Sequence, residues 1–419
     1  MKNEISSFRL HPESPWSLTV SCNGKRRKLP LVPPSPVTVT DEKCEALPVF
    51  DPQARFNAPY ALKQLTTGER WMEEGLLPGS VVVRGEDGTV FTRGEDYECE
   101  EIWGSVGRLE SGRITEGMSL RISYQYFRSR IDGIVMDAAG KILVIQGKEH
   151  DIMPHPPVIP RGMKHLANIY YSRRYDRLTE EMIYPVLRKR FLPTTFAGRA
   201  DEVLPRTMAK LRSGEKLKIL AWGDSVTSAE YLPENQRWQT LFAEALCRKF
   251  SHSRIEMKSH GWGGRTVKAY LDEPEGSPHH FVTEILNSDA DLIVSEFVND
   301  ASQPPEMFIP AYETVLKAFH ERGKEWLILT PHWILPSWME NTTVSKVRWQ
   351  SDDNRRFVHF LREFALKNGL GLADGSGKYA QWAEMGIPYM ACMTNGINHP
   401  DVRGMKVFVN ALMEVFPDK

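Results

Sequence analysis

Lys216-Leu217-Lys218-Ile219-Leu220-Ala221-Trp222-Gly223-Asp224-Ser225 is the stretch that decides the fold. Its apolar run has the length of a strand and stops at a glycine, with two small polar residues where a turn must follow. Downstream the rhythm repeats. Residues 238–250 have helical periodicity, 254–258 read as a strand, and 291–296 are strongly apolar and precede a helix over about 306–322. A strand at 326–330, a helix over 352–368, a short strand at 371–373 and a closing helix over 400–416 complete the pattern. Alternation of this kind predicts an α/β fold with a doubly wound parallel sheet and helices on both faces. In such sheets functional groups collect at the carboxyl ends of the strands.

Upstream the reading changes. Residues 80–84 form a strand candidate, Glu86-Asp87-Gly88 a hairpin turn, and 118–127 alternate apolar and polar residues as a half-buried strand does. Residues 133–136 and 141–145 flank a turn at Ala138-Ala139-Gly140. Short strands at this spacing predict an all-β sandwich or jelly roll over residues 1–150. The Pro-rich segment 28–60 is expected to wrap over the surface, 151–205 to connect the domains, and 206–419 to form the α/β domain.

Of the 419 residues, 41% are hydrophobic and 26% charged, ordinary values for a globular protein, and the formal net charge of -1 offers no field to a polyanion. Nucleic acid is therefore not an expected partner. No run of about 18 apolar residues predicts a membrane span. Cys22, Cys44, Cys99, Cys247 and Cys392 are odd in number and scattered, which argues for a reducing compartment. With no secretory leader at the start, the expectation is a cytoplasmic protein. His150, Asp151 and His155 have metal-ligand chemistry, but their Pro-rich surroundings favour solvated loop residues, and no metal or organic cofactor is expected.

Chemistry-bearing residues sit after successive strands. Ser225 follows the first strand on a tight turn, where its hydroxyl can leave the sheet. Gly261-Trp262-Gly263-Gly264-Arg265-Thr266 follows the second, and adjacent glycines let backbone N–H groups approach a ligand. Asn299, in Phe297-Val298-Asn299-Asp300, follows the third and carries a neutral amide donor. His399, in Asn398-His399-Pro400, stands before the last helix, where it can accept a proton from a hydroxyl. Singly, each also fits a plain turn, cap or loop.

Together, the order Ser, Gly, Asn, His resembles the blocks of the SGNH hydrolases, also called GDSL esterases, over about residues 215–419. The resemblance implies a flavodoxin-like sheet. It makes Ser225 the nucleophile and His399 its base, with the oxyanion held by the backbone N–H groups of Ser225 and Gly264 and the side chain of Asn299. Two positions depart from the pattern. Phe297 stands where a glycine is usual. Gly396 stands where the family has an Asp three residues before the histidine, so the group that orients His399 is left open among Asn395, Asp401, Asp374, a backbone carbonyl, or none. Asp224, Arg265, His332 and Trp333 are expected to line the substrate cleft. Ser225 is followed by Val226-Thr227, so the Gly-x-Ser-x-Gly elbow of α/β-hydrolases is absent.

The expected reaction is acyl transfer to water, from a small and preferably acetyl ester on a sugar or oligosaccharide. A β-rich domain ahead of an SGNH domain resembles the plan of some carbohydrate esterases, and no long hydrophobic lid is seen. A short-chain or aryl esterase, a thioesterase, and a non-catalytic glycan-binding or structural module on a decayed hydrolase fold stay open. So does a homo-oligomer.

Overall fold

A computed structural model describes the chain except for residues 1–7, 14, 23–24, 68–69, 152, 340–352, 354 and 418–419. The chain forms two compact units, one of residues 1–187 and 386–397, the other of residues 188–385 and 398–419.

The second unit is built on a five-stranded sheet of β1 (Lys216–Gly223), β2 (Arg254–Gly261), β3 (Leu292–Glu296), β4 (Glu325–Leu329) and β5 (Gly371–Ala373). Their spatial order is β2-β1-β3-β4-β5 and every pair is parallel. The alternation predicted a parallel sheet, and the order is the flavodoxin-like one that the resemblance implied. The chain leaves β1 toward one side and returns to the other at β3, so the switch point lies beyond Gly223 and Glu296. β1, β3 and β4 are buried almost throughout, as befits strands covered on both faces.

The longer helices among the described residues are α1 (Pro205–Ser213), α2 (Trp238–Lys249), α3 (Pro305–Glu321), α4 (Arg356–Asn368), α5 (Gly375–Glu384) and α6 (Val402–Val415). α2 buries Trp238, Phe242 and Leu246, one residue every fourth position. Gly369 ends α4 in the left-handed region at φ 63, and Gly214 ends α1 at φ 78. The first residues of the helix expected over 352–368 include 352 and 354, which lie outside the described residues. At the centre of one face Trp222 is fully buried, and Phe297 meets it edge-on at 5.0 Å. Phe297 therefore replaces the usual glycine by turning into the core, where it is 1% exposed.

The first unit is antiparallel. Leu120–Phe127 pairs with Pro36–Cys44 and Val82–Gly85, and its burial alternates along its first six residues as the sequence pattern requires. Arg130–Met136 pairs with Ile142–Ile145 and Lys164–Tyr171, and the latter with Ile183–Pro185. Apolar clusters form around Val83, Leu120 and Ile122, around Leu18, Val20, Ile134 and Ile169, and around Ile131, Tyr170 and Tyr184.

The structure differs from the sequence reading at two places here. Part of the Pro-rich segment is a nine-residue strand, Pro36–Cys44, because its prolines precede or begin the alternating run and leave it free to pair. The segment 151–205 is not a connection. Its strands 164–171 and 183–185 complete an antiparallel sheet, and its residues from 188 on belong to the α/β unit. There Lys378 donates to the carbonyl of Leu192, and Glu414 accepts from the backbone and hydroxyl of Thr194 at 2.7 and 2.5 Å.

Candidate active site

Ser225 opens a one-turn helix, Ser225–Ser228, directly beyond β1. Asp224 caps it, its Oδ1 accepting from the N–H of Val226 at 3.0 Å. Gly223 is required at the bend. A Cβ there would stand 2.2 Å from both the Glu296 carbonyl and the Thr227 hydroxyl. As first residue of the turn, Ser225 presents a backbone N–H of the kind that helices leave without an intrahelical partner.

His399 comes from 174 residues away, and its Nε2 lies 3.0 Å from Ser225 Oγ. That is hydrogen-bond reach for proton transfer. Tyr231 lies flat against the imidazole, ring centroids 4.3 Å apart and planes within 5°. The backbone carrying His399 is held from below. His332 Nε2 is 2.8 Å from the carbonyl of Asn398, and since a carbonyl only accepts, that nitrogen carries the proton. Burial pushes His332 down to about 3, with the Arg355 charge adding to the effect, so the ring is neutral.

The second loop is pinned to the first. Trp262 N–H donates to the Gly223 carbonyl at 3.0 Å. A Cβ on Gly261 would meet the Ser228 nitrogen at 2.1 Å, and one on Gly263 would lie 3.8 Å from Ser225 Cβ. Gly264 takes φ +72 with open space around it, a backbone state that favours glycine. Thr266 then caps Val267–Asp272. Arg265 is exposed, its guanidinium 4.8 Å over the Trp262 ring, and Trp262 stacks on His279 at 4.3 Å.

Asn299 is tied to the same turn. Its backbone N–H and its side-chain Nδ2 both donate to Asp224 Oδ2, at 3.0 and 2.8 Å. One amide hydrogen is thereby fixed on Asp224, which also sets the plane of the other. Burial pushes the Asp224 carboxyl up to about 6 against these donors. Asp300 is pushed up to about 8, by burial first, and Glu296 well above the ordinary range by burial and by the neighbouring Asp224 charge. The donors on Asp224 favour its ionised form, so at neutral pH the negative charge of this buried group rests there and its neighbours keep their protons.

Several expected positions are placed elsewhere. Asp224, His332 and Trp333 do not line a cleft, for all three are 0% exposed. Asp224 and His332 support the loops from beneath, and the Trp333 indole donates to Ser376 at 3.3 Å. Arg265 alone of those four is exposed. Asp401 caps α6, with Oδ1 taking the N–H groups of Arg403 and Gly404 and Oδ2 the Arg403 guanidinium. Asp374 caps α5 and binds Thr330 and Arg362. Asn395 Oδ1 accepts from Ile397 N–H at 2.9 Å. Asp401 and Asp374 thus serve as helix caps, a common fate of Asp at helix starts, and Asp374 also holds Thr330 and Arg362. Tyr231 was not singled out in the sequence, and no local pattern marks it. Among the described residues no group of three His, Cys, Asp or Glu side chains could hold a metal, and no helix is long and apolar enough to cross a membrane.

No protein-family profile and no curated protein matches the chain. Solved structures do. A two-domain esterase, CEX, active on acetylated mannans and crystallised with mannopentaose, aligns at 16% identity and TM-score 0.41 over 52% of this chain and 54% of its own. The chain thus spans about half the length of that esterase. A member of the lipolytic G-D-S-L family from Veillonella parvula aligns at 16% identity and TM-score 0.33, over 48% of this chain and 98% of its own. A catalytic mutant of Axe2, an acetylxylan esterase from Geobacillus stearothermophilus, aligns at 16% identity and TM-score 0.35, over 48% and 94%.

Proposed function

We propose that this chain is a serine esterase of the SGNH type that removes a small acyl group, acetyl by preference, from a carbohydrate. The observation that carries the reading is the 3.0 Å approach of His399 Nε2 to Ser225 Oγ at the switch point of a parallel sheet. In the proposed reaction Ser225 Oγ attacks the ester carbonyl while its proton passes to His399 Nε2. The carbonyl oxygen takes up negative charge between the N–H groups of Ser225 and Gly264 and the free hydrogen of Asn299 Nδ2. The tetrahedral species collapses, the ester C–O bond breaks, and the imidazolium gives its proton to the leaving alcohol. A water then attacks the acyl-serine, handing its proton to His399; the bond from the acyl carbon to Oγ breaks, the imidazolium returns that proton to Ser225 Oγ, and the acid is released.

A small acyl group is supported by the surroundings. None of residues 224–230, 262–266 and 297–304, which directly follow β1, β2 and β3, is an exposed large apolar side chain. A long acyl chain would need such a surface. The carbohydrate side of the proposal rests on the pairing of a β-rich unit with an SGNH-like unit. The test is acetate release from a panel of acetylated sugars and from an activated acetyl ester. Turnover that drops by 10³-fold or more in Ser225→Ala is the expected result. Undiminished turnover in that variant removes the nucleophile assignment, and no turnover by wild type on any ester favours a binding module.

A further inference from the structure

Tyr231 reaches His399 by an unusual turn. The one-turn helix at Ser225 ends on Ala229, which takes φ 44 and ψ 35, the left-handed region. An L side chain adopts that state only against a steric cost, and here it is held by its surroundings. Ala229 is fully buried, its N–H donates to the Ser225 carbonyl at 2.9 Å, and its own carbonyl accepts from Leu232 N–H at 3.0 Å. Glycine would take this conformation freely, yet the position is alanine. Two residues beyond this reversal the Tyr231 ring lies face to face on the imidazole. The ring that positions the base is therefore delivered by the nucleophile's own turn, six residues along the chain.

A flat ring at 4.3 Å restricts what the imidazole can do. Rotation about its Cβ–Cγ bond would drive its edge into the tyrosine, so Nε2 stays in the plane that contains Ser225 Oγ. When the Ser225 proton arrives on Nε2, the resulting cation faces the electron-rich ring, an arrangement that favours it over the neutral form.

We propose that Tyr231 is a positioning residue for His399, its ring plane holding the imidazole toward Ser225 and stabilising the imidazolium formed during acyl transfer. The inference rests on the Ser–His esterase reading for its kinetic consequence, but the stack itself is measurable without substrate. Tyr231→Leu removes the ring, Tyr231→Met keeps volume without a plane and serves where the leucine variant does not fold, and Tyr231→Phe restores the face. The expected kinetics are a fall in kcat of about tenfold to a hundredfold for Leu or Met with KM changed by less than about threefold, and recovery of most of that loss in Phe. The spectroscopic arm follows the carbon-bound ring protons of His399 by NMR in a Ser225→Ala background. They should be shifted upfield by the tyrosine ring current, equally with Phe, and relax downfield with Leu or Met. Wild-type kcat in a leucine or methionine variant, or His399 protons that do not move when the ring is removed, overturns the proposal. Absence of esterase turnover in wild type overturns the hydrolase reading instead, and the NMR arm still decides the stack.

Discussion

At the scale of single residues, Asp224 has an unexpected place. A carboxyl beside the serine suggests a group facing substrate, yet it is fully buried and holds Asn299 through two donors. Its work is to set the direction of an amide. Under the proposed oxyanion role of Asn299, Asn299→Ala should lower kcat by about 10²–10³, the usual effect of losing one such donor. Asp224→Asn should also lower kcat, because the acceptor for both Asn299 donors is weakened while the Asn299 amide itself remains. Steady-state kinetics on one activated acetyl ester compares the two. An Asp224→Asn enzyme with wild-type kcat would show that the amide keeps its direction without the carboxylate.

Among secondary-structure elements, the decisive joints are the ends of β1 and β3. They lie so close that Gly223 has no room for a methyl group beside the Glu296 carbonyl. Gly223→Ala should therefore destabilise the α/β unit by about 1–3 kcal/mol, since backbone cannot yield as a side chain tip can. Chemical denaturation measures it, and an unchanged midpoint would mean that the strands part more easily than their spacing suggests. At the end of β4 the same reasoning applies to His332. His332→Leu fills the site without a donor to Asn398, leaving a buried carbonyl unsatisfied, and should cost about 1–3 kcal/mol of stability. His332→Gln, which offers an N–H of similar reach, should recover part of that loss.

For the molecule as a whole, pH and buried charge set limits. Asp300 is raised to about 8 from 3.8, so its stabilising contribution is complete below pH 4 and is lost as pH rises through 8. His332 is lowered to about 3, so its contribution is present above pH 6.5 and is lost as pH falls toward 3. Stability should peak between these flanks. Asp300→Asn should flatten the alkaline side in thermal melts taken from pH 5 to 9, and an unaltered slope would count against a protonated Asp300. Lys378 is 1% exposed beside Glu414. Glu414→Ala leaves that ammonium buried without its carboxylate and should cost about 3–5 kcal/mol, read as a lowered denaturation midpoint.

The amino-acid order alone was enough for the α/β alternation, the parallel sheet, and the residues at the strand ends. Each is a local pattern: apolar runs of strand length, helical periodicity, and small polar residues at the breaks. Distance between those residues is not local. The approach of His399 to Ser225 spans 174 positions and is created only when the sheet twists and the loops close upon it. The same holds for what surrounds them. Asp224, His332 and Trp333 carry polar atoms that suit a cleft or a core equally, and burial assigned them to the core. Tyr231 has no motif, because a ring stacked on another ring is a matter of backbone direction at Ala229, which side-chain order does not encode. Strands 164–171 and 183–185 went unread for a related reason: pairing partners as distant as Arg130–Met136 complete them, and a strand's stability lies in its neighbours rather than in its own residues.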